Sequence, residues 1–323
     1  MINKIEVGKR IIALRKELGY SQSDFADKLN VTPQAVSKWE TGLALPDIEI
    51  LLTMSGIFKI TINEILAGKN ILYKIANRPF EMSDIAYFVP QEERDYNKQW
   101  SKDLIENGWV KNNWSGKKDN LNDIVKSIAK KIVGHGGLIL ELCTGPGGGL
   151  MPAVLYEKHD AELIISDLSP TVVREWKKVF DKEFFPPNVH YAALDNCDLP
   201  FEDNSIDVIS IGGFKNTEGD KEKAIKEIYR VLKPGGLYVS TDSIITKERF
   251  RAYSEDVQRI MLEKIPYMFE DYYETSLAAG FKTVDNILQG EQNIKGDDST
   301  PAELAEELGV EIIYTWYTRY CVK

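Results

Sequence analysis

Residues 138–150, Leu-Ile-Leu-Glu-Leu-Cys-Thr-Gly-Pro-Gly-Gly-Gly-Leu, constrain this chain more than any other stretch. An apolar run (Leu138, Ile139, Leu140, Leu142) around one acid, Glu141, breaks into a burst of glycines. The pattern predicts a buried parallel strand that turns sharply into a helix. Glycine is needed where backbone takes positive φ or lies against a ligand with no Cβ in the way. α/β folds build nucleotide cradles this way at the carboxyl ends of their strands. The dinucleotide fingerprint G-x-G-x-x-G, counted from Gly145 and Gly147, puts its third glycine at position 150. Leu150 stands there instead.

The chain of 323 residues has room for about two domains at roughly 150 residues each. With 43% hydrophobic and 28% charged residues, its composition is that of an ordinary globular protein. No apolar run approaches the roughly 18 residues of a membrane span, and residues 1–6 lack the apolar core of a secretory signal. Cys143, Cys197 and Cys321, odd in number and far apart, form no disulfide framework. These features predict a cytoplasmic protein with no membrane partner. The net charge of −10 argues against one broad nucleic-acid-binding face, yet it is unevenly spread. Residues 1–69 carry about +1 and the remainder −11, which suits a small DNA reader joined to an acidic body.

Within residues 1–69 the punctuation predicts five short helices. Ile5, Ile11, Ile12, Leu14 and Leu18 recur at broadly helical spacing before Gly19. Ser21 caps a second helix with Asp24 at the capping-box position, and Thr32 caps a third that opens on Pro33. A fourth helix opens at Pro46-Asp47 and a fifth at Thr61. Leu14-Arg15, Ser21-Gln22, Phe25-Ala26, Val31-Thr32, Val36-Ser-Lys-Trp-Glu-Thr-Gly42 and Pro46-Asp47 together resemble the Cro/repressor (XRE-type) helix-turn-helix family. In that family the third helix enters the major groove. The resemblance implies that Gln34 and Lys38, with Thr32 or Ser37, face base edges and that Gln22 holds a phosphate. It also implies a homodimer on DNA, and it leaves Val36 and Trp39 as core.

Residues 70–118 read as a helical linker or cap. Pro79 and Pro90 interrupt them, and the cluster of Tyr96, Trp100, Trp109 and Trp114 suits either a substrate lid or, the favoured reading, the packing of a connecting helix onto the body. From 119 to 323 strands and helices alternate, ending in two antiparallel edge strands at 281–288 and 311–322. The expected fold is an all-α helix-turn-helix domain followed by an α/β, Rossmann-like domain with a seven-stranded, mostly parallel sheet.

Several motifs in this second part fall in one order. An acid is followed by x-G-x-G-x-G, fitted by Glu141, Gly145 and Gly147 with Cys143 in place of the first glycine. Asp167 ends the next strand, twenty residues after Gly147. Asp195-Asn-Cys-Asp-Leu-Pro-Phe-Glu-Asp-Asn-Ser-Ile-Asp207 and Glu227-Ile-Tyr-Arg-Val-Leu-Lys-Pro-Gly-Gly236 follow. Together they resemble the class I S-adenosylmethionine-dependent methyltransferases of the type 11-like group, over about residues 119–242. The resemblance implies S-adenosylmethionine as cofactor, in a cradle of Glu141, Cys143, Gly145, Pro146, Gly147 and Gly212. It puts Asp167 on the ribose hydroxyls, Leu168 on the adenine face, Asp195 on the adenine amino group and Asn196 at the ring.

Methyl transfer from a sulfonium asks for in-line placement and exclusion of water more than for a catalytic base. The sequence therefore points to the donor and leaves the catalytic residue unassigned. Gly213, Phe214, Lys215, Asn216, Asp242 and Ser243 are the positions expected to face the methyl group. His135, His159 and His190 are isolated, so no metal is expected. Two functions suit the chain: a methyltransferase of a small-molecule acceptor tied to DNA, and a transcriptional regulator whose methyltransferase-like domain senses S-adenosylmethionine or another small ligand without turnover.

Overall fold

The computed structural model describes residues 4–67, 70–92, 98–112, 121–158, 160–183, 188–212, 221–269, 273–294 and 300–323. The backbone divides into two compact units, Met1–Lys74 and Ile75–Lys323.

The first unit contains the five expected helices, α1 (Lys4–Glu17), α2 (Gln22–Leu29), α3 (Pro33–Glu40), α4 (Ile48–Phe58) and α5 (Ile62–Ala67), followed by a single turn, α6 (Leu72–Ile75). Local chemistry sets their starts. Ser21 Oγ accepts from Asp24 N at 3.1 Å while Asp24 accepts from Ser21 N at 3.0 Å. Thr32 Oγ1 accepts from Ala35 N at 3.3 Å, and Asp47 Oδ1 accepts from Ile50 N at 2.9 Å. Each such cap contributes roughly 1 kcal/mol by satisfying an orphan N–H. Val7, Ile11, Phe25, Leu29, Val36, Trp39, Met54 and Ile65 bury their side chains in one core. Val36 and Trp39 are core, as the sequence implies.

Helix spacing alone does not account for one part of that core. Arg15 and Glu40, at 8% and 7% exposure, form a two-pronged ion pair of 2.6 and 3.1 Å. Arg15 also donates to Tyr20 O at 2.6 Å, so a buried charge network ties α1, the α1–α2 turn and α3 together.

The second unit is built on a nine-stranded mixed sheet of order β1-β2-β5-β4-β3-β6-β7-β9-β8. The strands are β1 (Glu81–Met82), β2 (Ala86–Tyr87), β3 (Ile139–Leu142), β4 (Leu163–Asp167), β5 (Val189–Ala193), β6 (Ile206–Ile211), β7 (Leu232–Ile244), β8 (Thr283–Asn293) and β9 (Ile313–Val322). Seven of them, β3–β9, correspond to the expected sheet. The other two correct it: β1 and β2 form a hairpin from the segment expected as a helical linker, and β2 pairs in parallel with β5. Ile85 and Tyr87 bury there, together with Leu104 of α7 (Lys98–Glu106) and Val110. Trp109 packs against the same core as expected, whereas Tyr96 and Trp114 lie outside the described residues.

The helices α8 (Asp123–His135), α9 (Met151–Glu157), α10 (Pro170–Glu183) and α11 (Lys221–Val231) connect the parallel strands. Strand β3 lies between β4 and β6, so the chain reverses its direction of winding there. Ligand crevices of open α/β sheets form at such a switch point, outside the carboxyl ends of the strands.

Beyond β7 the chain builds a cap that the sequence showed only as a helical region. It comprises α12 (Lys247–Arg251), α13 (Glu255–Lys264), a 3-10 turn (Pro266–Phe269) and α15 (Thr300–Leu308), while α14 (Tyr273–Ala279) packs on β8 and α11. The cap has its own apolar core, including Ile245, Met261, Ile265, Met268, Ala305 and Ile312. No described helix is long and apolar enough to cross a membrane.

Candidate functional site

Strand β3 ends at Leu142, and four residues later the chain is inside the glycine turn. Glu141 sits beneath that turn, fully buried. Its Oε1 accepts from Leu150 N at 3.0 Å and its Oε2 accepts from the Ser210 hydroxyl of β6. Its main-chain oxygen takes the Ser166 hydroxyl of β4 at 2.6 Å. Glu141 thus braces the turn against both neighbouring strands.

The sharpest steric demands fall on glycines that the motif does not number. Gly148 has φ +77°, and a Cβ there would lie 2.5 Å from the Trp176 ring. Gly149 has φ +51°, and its Cβ would lie 1.8 Å from Glu141 Oε1. Trp176, fully buried on α10, closes the turn from the other side by donating its indole N–H to Gly145 O at 2.7 Å. Gly145 also takes positive φ, +55°, with room for a Cβ, whose nearest atom would be Cys143 O at 3.8 Å. Pro146 and Gly147 are half-buried at the tip.

Cys143 stands where the resembling family has glycine and takes a glycine-like conformation, φ +51°. Its half-buried thiol accepts from Asn196 Nδ2 at 3.3 Å, which links the ends of β3 and β5. Burial, and then the charges of Asp167 and Glu141, push this thiol well above the ordinary cysteine range. It is therefore a poor nucleophile and a packing group.

Two carboxylates converge beside the turn. Asp167 ends β4, where Oδ2 accepts from Gly145 N at 2.9 Å and Oδ1 from Ser169 N at 2.9 Å. It stands opposite Ala193 of β5, and Leu194 N donates to its main-chain oxygen at 3.0 Å. Asp195 follows at once, with Oδ1 accepting from Cys197 N at 2.9 Å. Asp167, Leu168, Asp195 and Asn196 are all half-buried on this rim. Gly212 follows β6, against the glycine turn, where a Cβ would lie 3.6 Å from Gly149 Cα. The structure therefore brings every predicted cradle residue to one end of the sheet.

The later motifs form a clip that positions this rim. Glu227 accepts from Leu199 N at 2.9 Å, while Arg230 donates to Leu199 O at 2.8 Å and Phe201 O at 2.7 Å. The Glu227 carboxylate, hydrogen-bonded to Arg230, raises the guanidinium's pKa further. The Leu199-Pro-Phe segment downstream of Asp195 is thereby held in place from α11.

Of the positions expected to face a methyl group, Gly213, Phe214, Lys215 and Asn216 lie outside the described residues. Asp242 is buried, accepts from Ser240 Oγ at 2.8 Å and stands 3.5 Å from Arg319, so it belongs to an internal polar network. Ser243 is half-buried. Among the described residues no three metal-ligating side chains cluster. His190 is separate from the rim, and burial lowers its pKa to about 4.

On the first unit, Gln34 and Lys38 are exposed one turn apart on α3, with Ser37 half-buried between them. Thr32 spends its hydroxyl as the helix cap. Gln22 is exposed, but its side-chain amide donates to Glu40 Oε2 at 2.7 Å, which orients it from below. Sequence reasoning missed Trp176, Gly148, Gly149 and Ser210. Three consecutive glycines where the motif asks for alternate ones were the available signal for Gly148 and Gly149.

Two family matches coincide with these sites. Residues 142–240 match the methyltransferase domain family and residues 11–65 the helix-turn-helix family. The chain is 31% identical over 178 residues to the demethylmenaquinone methyltransferase of Staphylococcus saprophyticus, covering 50% of this chain and 74% of that one. It is 29% identical over 133 residues to the ubiquinone/menaquinone biosynthesis C-methyltransferase UbiE of Pseudoalteromonas translucida, covering 38% of this chain and spanning only 53% of that relative. Among solved structures, phosphoethanolamine N-methyltransferase 2 of Haemonchus contortus with S-adenosyl-L-methionine superposes with a TM-score of 0.45 at 19% identity, covering 62% of this chain and 52% of that chain. The chain belongs to the S-adenosylmethionine-dependent methyltransferase family and carries an N-terminal XRE-type helix-turn-helix domain.

Proposed function

We propose that the second unit transfers a methyl group from S-adenosylmethionine to a small molecule, and that the first unit binds DNA as a homodimer. The observation that carries the enzyme reading is the rim itself, a braced, glycine-rich turn flanked by carboxylates at the ends of β4 and β5. S-adenosylmethionine, when bound, supplies an electrophilic methyl group on a sulfonium. The residues present fit that group. A vicinal diol donates two hydrogen bonds, which one carboxylate such as Asp167 accepts. An exocyclic amine suits Asp195, and Leu168 offers an apolar side chain to a purine face. Glu141 acts through the turn and is a positioning residue. Gly145, Pro146, Gly147 and Gly212 leave backbone open toward the crevice, and Cys143 with Asn196 fixes its floor.

For the first unit, the exposed pair Gln34 and Lys38 supports base reading in the major groove, Gln toward adenine and Lys toward guanine. Ser37 and the cap residue Thr32 flank them, and Gln22 is oriented toward a phosphate. Two copies reading half-sites about 34 Å apart is the geometry such units use.

Calorimetric titration of the full chain with S-adenosylmethionine and S-adenosylhomocysteine tests the donor site, with Asp167→Asn and Asp195→Asn as controls. Micromolar binding weakened at least tenfold in both controls is expected; no binding to the unaltered chain overturns the reading. The fusion to a DNA-reading helix also favours a second reading, a sensor without turnover. Both bind the donor, and only the enzyme releases S-adenosylhomocysteine in a screen of methyl acceptors.

A further inference from the structure

The first unit keeps most of its apolar side chains inside, but Ile5, Leu43, Ile48 and Leu52 are 58%, 74%, 62% and 59% exposed. These four stand around the turn that joins α3 to α4. Leu43 lies within that turn, and Ile5 flanks it, since a Cβ on Gly42 would fall 2.9 Å from Ile5 Cα. Ile48 opens α4 and Leu52 follows one turn later, so the two share a helix face. Among the described residues of this unit, Leu18 and Tyr73 are the other exposed large apolar side chains. Aliphatic residues scattered singly on a surface are ordinary, whereas several gathered at one corner mark a contact surface.

The turn is fixed to the end of the base-reading helix. Leu43 N and Ala44 N both donate to Lys38 O, at 2.9 and 3.2 Å, and Thr41 Oγ1 donates to Ser37 O at 2.8 Å. From Thr41 to Pro46 it carries no charged side chain. Two copies meeting there across a twofold axis oppose aliphatic to aliphatic surface, with no like charges brought together. Size points to the same occupant. The four exposed side chains offer on the order of 400 Å² per copy, about half of the roughly 800 Å² that a standard interface buries on each side. A unit of about 70 residues is about 28 Å across, close to the roughly 34 Å between half-site centres. Two units bound side by side therefore meet over a narrow strip. The patch is too small to hold a dimer in solution, and it matches what neighbouring copies on DNA can bring together.

We propose that the α3–α4 turn, with Leu43 at its centre and Ile5, Ile48 and Leu52 around it, is the surface through which two copies of this chain meet on DNA; the assignment rests on the DNA-binding reading above. The contact forms only on adjacent half-sites. The free chain is a monomer, each copy reads one half-site alone, and the apolar contact makes the second copy bind more tightly than the first. Because the turn is hydrogen-bonded to Lys38 O, the same contact sets the separation of the two α3 helices and hence the spacing of the half-sites.

The test begins by selecting a site from randomised DNA with the full chain. That site is then made whole, as a single half, and with about five base pairs, half a helical turn, inserted at its centre. The full chain is expected to sediment as a monomer at micromolar concentration and to bind the whole site with a Hill coefficient approaching about 2, the number of half-sites. Leu43→Gln and Leu52→Gln leave the core untouched and should bind the half-site as the unaltered chain does. On the whole site they should bind about tenfold more weakly and without cooperativity. The insertion turns one half-site to the far side of the duplex and should reduce the unaltered chain to the same level. A dimer in solution that survives both variants, or an unchanged whole-site affinity, overturns the proposal. So does a melting temperature lowered by several degrees in either variant. Exposed side chains tolerate such changes, and a drop would mean that the chain's own second unit covers the patch. Half-site binding without cooperativity refutes the contact alone. Recovery of no site refutes the DNA-binding reading, and the contact with it.

Discussion

Gly149→Ala and Gly145→Ala pose one backbone change in two settings of the same turn. Both residues take left-handed φ, +51° and +55°. Alanine there pays about 1–2 kcal/mol of conformational strain, offset by about 0.4–1 kcal/mol from a stiffer unfolded chain. At Gly145 the nearest atom to the new Cβ is Cys143 O at 3.8 Å, an ordinary contact, so the expected loss is about 1 kcal/mol. At Gly149 the new Cβ falls 1.8 Å from Glu141 Oε1. The carboxylate has to leave, and its bonds to Leu150 N and the Ser210 hydroxyl go with it. Hydrogen bonds to a charged group contribute about 1.5–3 kcal/mol each, so Gly149→Ala should cost about 3–6 kcal/mol. That is a large share of a domain's stability of about 5–15 kcal/mol. Urea unfolding of the full chain followed by tryptophan fluorescence measures both variants, since Trp176 lies against the turn. Glu141→Ala combined with Gly149→Ala should cost about 2 kcal/mol less than the two single losses added together, because the clash is shared. Equal losses for Gly149→Ala and Gly145→Ala, or strict additivity with Glu141→Ala, would refute the claim that Glu141 braces this turn.

In the first unit, Arg15→Met strands Glu40 in the core and should cost about 3–5 kcal/mol, whereas Arg15→Met with Glu40→Leu should recover most of it; urea unfolding of both variants checks this. Lys38→Ala should lose about 1–3 kcal/mol of operator binding and relax base preference at one position of each half-site, read by gel shift against a randomised site. His190 gives a pH dependence. Its folded pKa is lowered to about 4 by burial while the unfolded value is 6.5, so the unfolded chain binds the extra proton between these values. Stability should therefore fall by about 1–3 kcal/mol as pH drops from 6.5 toward 4. Denaturant unfolding across that range should show a flatter fall in His190→Gln.

The sequence made legible whatever local chemistry decides. Ser21 and Thr32 cap their helices because a hydroxyl three residues before an N–H needs no tertiary help. Asp167 and Asp195 land side by side because each ends a short apolar strand and parallel strands end together. The β1–β2 hairpin was not legible, since two residues carry no period and Pro79 and Pro90 suggest loop. Trp176 looked like one apolar position among several on an amphipathic helix, and only the fold shows its N–H reaching Gly145 O. The roles of Glu141 and Gln22 were hidden for a related reason. Both are polar residues at motif positions, and whether such a residue faces a ligand or the protein is settled by what packs behind it, here Ser210 and Glu40. The cap was visible as helices, but its seat above β7 depends on Ile245, Met268 and Ile312 meeting across long sequence separation.

The parallel pairing of Ala86 and Tyr87 with β5 bears on how this protein can be cut. A fragment beginning at residue 119, where the strand-helix alternation starts, would strip β2 from β5 and leave a row of unpaired N–H and C=O groups along a strand buried on its faces. Bare edges of that kind recruit other strands. It would also lose the stitching of 75–78 to the loop after Asp195, where Glu202 N donates to Ile75 O at 2.8 Å, Asn77 N to Pro200 O at 3.1 Å and Arg78 to Asp198 at 2.8 Å. The excisable second unit therefore starts at Ile75, and a fragment started at 119 is expected to aggregate.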